Sequence, residues 1–516
     1  MVKRGLGSRF DDMPTRVPLD RLLAAVRAVA TRPRAATLAR YPAALLLLPA
    51  APAAADWMAL PHGASLRATF RLKPRKPADF FALRVGARAE TLVIAAVVDS
   101  SMSPFERLRA AGGAARAALD AQPRRLLLCQ QGLEDAAAAA AFCACIAALQ
   151  AAAFALPTFK SKAATRKRLL RIDLACGAPP ADLASTQASA AGNNLARWLT
   201  ALPPNRLNAA GYRRILEDLA RRLGLAYKFY GERQLRRLGA GAFLAVARGN
   251  PARDAGIVRL SYRPRRAAAP EVCLVGKGIC FDTGGTNLKS HKSMLDMHTD
   301  MQGSAVAVGS LYALHAQGSR SAVDCWLAIS ENRIGPNAYQ PQEIVRAHNG
   351  TTIQVIHTDA EGRMVLADTL SLAAASAPRA IIDYATLTGA CVHALTERYS
   401  GAFTNRMQTR DLIEAAGAAS GERVWCFPMD ADFDSDLESA VADVMQCAVD
   451  GKGDHILAAR FLSRFVPPKI AWLHLDLAAG SRHGGLAHIG TDITGFGVRY
   501  TLELLARGWP QAVRGA

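Results

Sequence analysis

Thr91-Leu92-Val93-Ile94-Ala95-Ala96-Val97-Val98 is an unbroken apolar run. A strand with one wet face alternates; a continuous run marks a strand covered on both faces, as in a sheet between helices. Downstream, the pattern predicts a helix over 105–119, a strand over 125–129, a helix over 136–152 and a strand over 169–174. Upstream, 44–48 reads as a short buried strand, and 66–72 alternates like a half-buried one. Leu19, Leu22, Leu23, Val26 and Val29 recur at helical spacing. Strands alternating with helices argue for an open α/β domain.

Residues 1–16 have the composition of a loose basic tail, so this first domain covers 17–180. Gly177-Ala178-Pro179-Pro180-Ala181-Asp182 carries a linker signal. Beyond it, 181–516 reads as a larger α/β domain with a mixed central sheet flanked by helices. Its predicted strands are 225–230, 243–247, 257–262, 272–275, 323–329, 352–356, 380–384 and 470–475. Helices are predicted up to about 199 and over 212–223, 303–317, 365–376, 435–446 and 454–465. Gly276-Lys277-Gly278 falls at the end of its strand, where open α/β sheets place their sites.

The chain has 516 residues, room for two or three domains. A hydrophobic content of 51% with 6% aromatics excludes a disordered or membrane-embedded protein. Ten scattered cysteines form no C-x-x-C pair, so buried reduced thiols in a cytosolic, cytoplasmic protein are expected. No stretch reaches the roughly 18–20 apolar residues of a membrane span. Residues 43–55 (AALLLLPAAPAAA) resemble a signal-peptide core but start too far in and contain Pro49 and Pro52. A strand and a turn fit them better than a misassigned start.

The net charge of +20 raises the prior for nucleic acid but says nothing about fold. Lys160, Lys162, Arg166, Lys167, Arg168 and Arg171 form the densest basic run. With no aromatic side chains interleaved for stacking, an exposed rim is a better reading than a DNA-facing patch.

The chemistry concentrates in His357-Thr358-Asp359-Ala360-Glu361-Gly362-Arg363-Met364 and in an upstream set: Lys277, Asp282, Lys289 and Asp300. Asp359 and Glu361 are one residue apart, so in extended backbone their side chains leave the same face. Clustered carboxylates repel unless something positive lies between them. A pair of divalent cations, Mn²⁺, Mg²⁺ or Zn²⁺, would supply that charge, the other reading being exposed loop acids with no shared ion. Two such ions share a water, lower its pKa and polarise a carbonyl. The glycines beside these acids let the backbone come close. Lys277 beside metals would have a depressed pKa and serve as a neutral amine ligand. Lys289 would stay protonated toward an oxyanion, and Arg363 offers a fork for a carboxylate or bicarbonate.

GKGICFDTGG, Lys289, the MHTD segment ending at Asp300, HTDAEGR and ATLTGA together resemble the leucyl aminopeptidases, the bimetallic cytosol aminopeptidases. The likeness runs from about 201 to 506; the front half is consistent with that family's variable α/β domain. The resemblance implies two metal ions per subunit, Mn²⁺ or Zn²⁺. Lys277, Asp282, Asp300 and Glu361 would hold one, Asp282 and Glu361 would bridge to the second, and Asp359 would bind that second ion. Lys289 would stabilise the gem-diolate, and Arg363 would bind a bicarbonate acting as general base. Met297, Thr386, Leu387 and Gly389 would line the pocket for the first side chain, so leucine-like N-terminal residues of peptides are expected. The resemblance also implies a homo-hexamer with sites facing inward, and the lack of a long apolar stretch leaves no membrane partner expected.

The departures are conservative. His357 stands where the family usually has Asn, and Thr283 where it has Ser. Gln302-Gly303 replaces a Gly-Gly pair, and His298 a residue that is commonly basic. His357 is either a supporting group or a histidine pointing away. His291 and His298 read as exposed loop residues, and His455, at a helix start near the expected pocket wall, as a residue that narrows specificity. Two other readings are a DNA-binding role, since some bacterial relatives of this family bind DNA, and an assembly protein with a vestigial site.

Overall fold

The computed structural model describes residues 16–29, 34–73, 75–87, 90–162, 167–264 and 269–509. Residues 1–15 of the expected basic tail and Arg166 lie outside them, while Arg16 pairs with Asp218 at 3.1 Å. The apolar runs of the front half become a six-stranded sheet in the order Ala25–Val29, Arg171–Ala175, Arg125–Gln130, Ala43–Pro49, Thr91–Val98, Phe80–Val85. All neighbours are parallel except the last pair. Helices Pro104–Leu119 and Asp135–Ala153 cover one face, and Trp57 and Leu66 pack on the other. Ser103 and Glu106 form a reciprocal capping box at the first of these helices.

Asp135–Ala153 is long and apolar enough to cross a membrane, contrary to the sequence expectation. It is buried from Ala141 through Ala151, packed against Pro104–Leu119 and Leu183–Thr200, as a core helix is. All ten cysteines are free thiols.

The second sheet has eight strands: Val424–Cys426, Ser400–Thr404, Ala471–Asp476, Ala380–Ala385, Val272–Asp282, Val323–Asn332, Gly256–Tyr262, Ala226–Gly231. The middle four, from Ala471–Asp476 to Val323–Asn332, are mutually parallel. Antiparallel pairs flank them on both sides, so the sheet is mixed. Helices Leu183–Thr200, Gln302–Ala316 and Val498–Ala506 pack on one face; Gly241–Ala247, Glu361–Ala374 and Asp454–Ser463 pack on the other.

Five expectations need correction. The helical spacing over 19–29 gives one turn, Leu19–Arg21, and then strand Ala25–Val29, because Arg171–Ala175 offers a parallel partner. The alternation over 66–72 folds as helix Gly63–Arg71, with Leu66 buried and Leu72 80% exposed. The apolar run 243–247 is helix Gly241–Ala247, whose Phe243 N–H donates to the Asp368 carboxylate at 2.7 Å. Short apolar runs fit either buried form, and a carboxylate at the first turn decides for helix. In place of a helix over 435–446 there is a turn, Ala431–Leu437, and strand Val444–Met445. Finally, Gly276-Lys277-Gly278 lies inside its strand, which continues to Asp282.

In the basic run, Lys160, Lys162 and Lys167 are exposed. Arg168 donates to the Asp20 and Leu23 carbonyls, and Arg171 pairs with buried Asp173 at 2.9 Å. Part of the positive charge there is therefore spent inside the chain.

Candidate active site

Four parallel strands end side by side, at Asp282, Asn332, Ala385 and Asp476. Ligands bind outside the carboxyl ends of such strands. A cavity of about 630 Å³ opens there. Lys277, Asp282, Lys289, Met297, Asp300, Asp359, Glu361, Arg363, Thr386, Leu387 and Gly389, all read from the sequence, line it.

Lys277 reaches the cavity from within its strand. Its Nζ lies 2.9 Å from Asp300 Oδ2 and 2.8 Å from Glu361 Oε1, and donates to the Thr386 carbonyl at 3.0 Å. Lys289 Nζ lies 2.9 Å from Asp282 Oδ2 and 2.5 Å from Asp359 Oδ1. Asp282, Asp359 and Glu361 each bring one oxygen within 4.8 Å of the others. Glu361 is the first residue of helix Glu361–Ala374, so the expected extended spacing of Asp359 and Glu361 is replaced by a turn into a helix, and both still face the cavity.

Burial pushes the carboxyls of Asp300, Asp359 and Glu361 above their ordinary values, and neighbouring carboxylates add to the rise. Burial acts to lower Lys277, but Asp300, Glu361 and Asp282 outweigh it and hold the ammonium above its ordinary value. Lys289 is raised in the same way.

The acids have a rigid frame that sequence reasoning missed. Asp282 Oδ1 accepts from Gly284 N and Asn332 Nδ2, each at 2.8 Å. Asn332 Nδ2 also donates to the Thr358 carbonyl at 3.0 Å, and Tyr339 OH donates to it at 2.7 Å. The Thr358 hydroxyl donates to Gly284 O at 2.6 Å and accepts from Asn287 N at 2.8 Å, tying the two acidic loops together. Gly284 has φ +85°, a left-handed conformation that favours glycine. A Cβ on Gly362 would sit 2.7 Å from Lys277 Nζ, so a bare backbone gives the lysine its path.

The remaining departures resolve individually. His357 lines the cavity, and its Nδ1 accepts from Asp359 N at 3.3 Å. Thr283 Oγ1 donates to Asn332 O at 2.8 Å, and buried Gln302 donates to Ser481 at 2.7 Å. His291 is exposed and His298 half-buried; neither lines the cavity. His455 follows the wall residue Asp454, and its ring packs 4.5 Å from that of Phe427. Arg363 Nη2 donates to both Asp454 oxygens at 2.8 Å, so the guanidinium expected to take bicarbonate already holds a carboxylate of the chain. Asp476 accepts from Leu387 N at 3.0 Å and from the Thr388 hydroxyl at 2.6 Å, which fixes the apolar wall.

A buried acidic cavity at the carboxyl edge of parallel strands is the architecture of an α/β enzyme. Residues 194–502 match the catalytic domain of the cytosol aminopeptidase family. A Sulfurihydrogenibium protein named "Probable cytosol aminopeptidase" is 39% identical over 62% of this chain and 63% of its own length. A Synechococcus protein of the same name is 35% identical over 82% of this chain and 87% of its own. Among solved structures, the bottromycin maturation enzyme BotP in complex with Mn superposes with a TM-score of 0.78 at 31% identity, over 92% of this chain and 99% of that one. A mutant of tomato leucine aminopeptidase gives 0.79 at 27% identity, over 94% and 97%. The chain belongs to the cytosol aminopeptidase family, a family of peptide-bond hydrolases.

Proposed function

We propose that this protein is a metal-dependent aminopeptidase that removes leucine-like N-terminal residues from peptides. The observation that carries the reading is a shortage of positive charge. Four carboxylates meet two ammonium groups, and buried Glu361 Oε2 has no hydrogen-bond partner. An unpaired buried charge is expensive, and a divalent cation is the usual remedy. Lys277, Asp282, Asp300, Asp359 and Glu361 would hold two such ions; the manganese in the BotP complex supports Mn²⁺ as the first to try. When bound, a pair of divalent ions activates a water and polarises the peptide carbonyl.

The side chains supply the rest. Lys289, held protonated between Asp282 and Asp359, offers its Nζ proton to the oxygen of the carbonyl under attack. The acidic wall attracts a free α-amine and repels a C-terminal carboxylate, which favours cleavage from the amino end. Met297, Leu387, Val392 and Leu477 give the first side chain an apolar, adaptable bed. Leucine release from leucine amide with Mn²⁺ or Zn²⁺ tests the reading. Activity should vanish on chelation and in Glu361→Ala, and its survival in either case would refute it. The hexamer is carried by the family resemblance, and light scattering reporting a monomer would reject it.

A further inference from the structure

We propose that Asp454 is a built-in anion for Arg363, so that this cavity needs no carboxylate or bicarbonate from solution. Only the kinetic part of this inference rests on the aminopeptidase reading. Arg363 lies in the first turn of its helix, and its side chain is 2% exposed. Nη2 donates to both Asp454 oxygens, and Nη1 donates to the Gln446 carbonyl at 3.2 Å. Nε is buried without a hydrogen-bond partner. Among the described residues, Asp454 is its ion-pair partner.

A guanidinium cannot shed its proton, so once buried it must keep an anion. Asp454 stands on the cavity side of Arg363, where a dissolved anion could reach it. Its side chain is 26% exposed and lines the same cavity as Asp359 and Glu361. It opens helix Asp454–Ser463 just after Gly451 and Gly453, whose φ values of +68° and +59° turn the chain inward. A tethered carboxylate at that point competes with dissolved anions at high effective concentration. Asp454 therefore acts as a positioning residue that neutralises Arg363 and fixes it beside the acidic cluster.

The position predicts chemical rescue, which a merely structural aspartate would not show. Asp454→Gly and Asp454→Ala open a carboxylate-sized gap on the cavity side of Arg363. Asp454→Asn fills the gap without charge. In metal-free protein, sodium formate should raise the thermal unfolding midpoint of the Gly and Ala variants relative to sodium chloride at equal ionic strength. It should leave the parent and Asp454→Asn unchanged. With Mn²⁺ and leucine amide, kcat of the Gly and Ala variants should fall roughly 10- to 100-fold, with KM moving far less. Formate or bicarbonate should restore the rate saturably in those two variants only. The proposal is overturned if the parent needs added bicarbonate, if the Gly and Ala variants keep full kcat, or if formate fails to stabilise them. If one small variant does not fold, the other carries the comparison. If the parent itself releases no leucine, the aminopeptidase reading fails, and the metal-free unfolding data still decide the anion slot.

Discussion

Thr358→Val removes one oxygen from the frame beneath the site and keeps its shape. The hydroxyl donates to Gly284 O at 2.6 Å and accepts from Asn287 N at 2.8 Å, and Thr358 is fully buried. Valine leaves both backbone groups without that partner. An unsatisfied buried polar group costs about 1–3 kcal/mol, and the half-buried Asn287 amide belongs at the low end, so the loss should be about 2–4 kcal/mol. For a large domain that lowers the Tm by roughly 4–8 °C. Gly284 is two residues past Asp282, and Thr358 directly precedes Asp359, so both acidic loops should loosen together. Mn²⁺ affinity should then fall about 10- to 100-fold, as when groups supporting a ligand are lost. Thermal unfolding of chelator-treated protein and calorimetric Mn²⁺ titration measure the two effects, with Thr358→Ser as the variant that keeps the hydroxyl. A Thr358→Val protein that melts with its parent and binds Mn²⁺ equally well would refute the reasoning.

Three further outcomes are expected. Burial pushes the Glu422 carboxyl up to about 7, against the backbone amides of Tyr500 and Gly497 that lower it. Its folded value lies above its unfolded one, so the native state holds an extra proton between about pH 4 and 7, and stability falls as pH rises through that window. Glu422→Gln keeps both bonds without titrating, and its Tm should drop less than the parent's from about pH 5 to about pH 8; an equal drop would exclude the assignment. Gly389 lines the cavity, and a Cβ added there would meet no atom within 4 Å, so Gly389→Leu should cost under about 1 kcal/mol of stability. It should raise KM for leucyl substrates more than for alanyl ones, and an unchanged ratio would remove Gly389 from the pocket for the first side chain. For the DNA reading, a gel-shift titration should reveal either salt-sensitive binding at low ionic strength or none; absence would end it.

The cluster was legible because its residues break ordinary rules. Acids beside glycines in HTDAEGR and FDTGG fit neither a solvated face nor an apolar core. The frame was not legible, for a reason of topology. Asn332, Tyr339, Gln446, Asp454 and Asp476 come from separate elements and reach Asp282, the backbone of the 357–363 motif, Arg363 and the Leu387 wall only in the folded chain, which local patterns do not encode. Thr358, inside the motif, reads as an ordinary polar residue until Gly284 is seen beneath it. The long runs at 91–98 and 105–119 folded as expected because burial and periodicity agree there. The short runs at 66–72 and 243–247 did not, because a few apolar residues suit helix and strand alike and their tertiary neighbours decide.

Strand Ala471–Asp476 inserts between Ala380–Ala385 and Ser400–Thr404, both far earlier in the chain. The strands on either side of it cannot pair with each other and depend on this late segment to join them. From it Asp476 reaches the amide of Leu387. The last-made central strand thus closes the sheet and holds the Leu387 wall of the cavity, joining the end of the chain to the pocket.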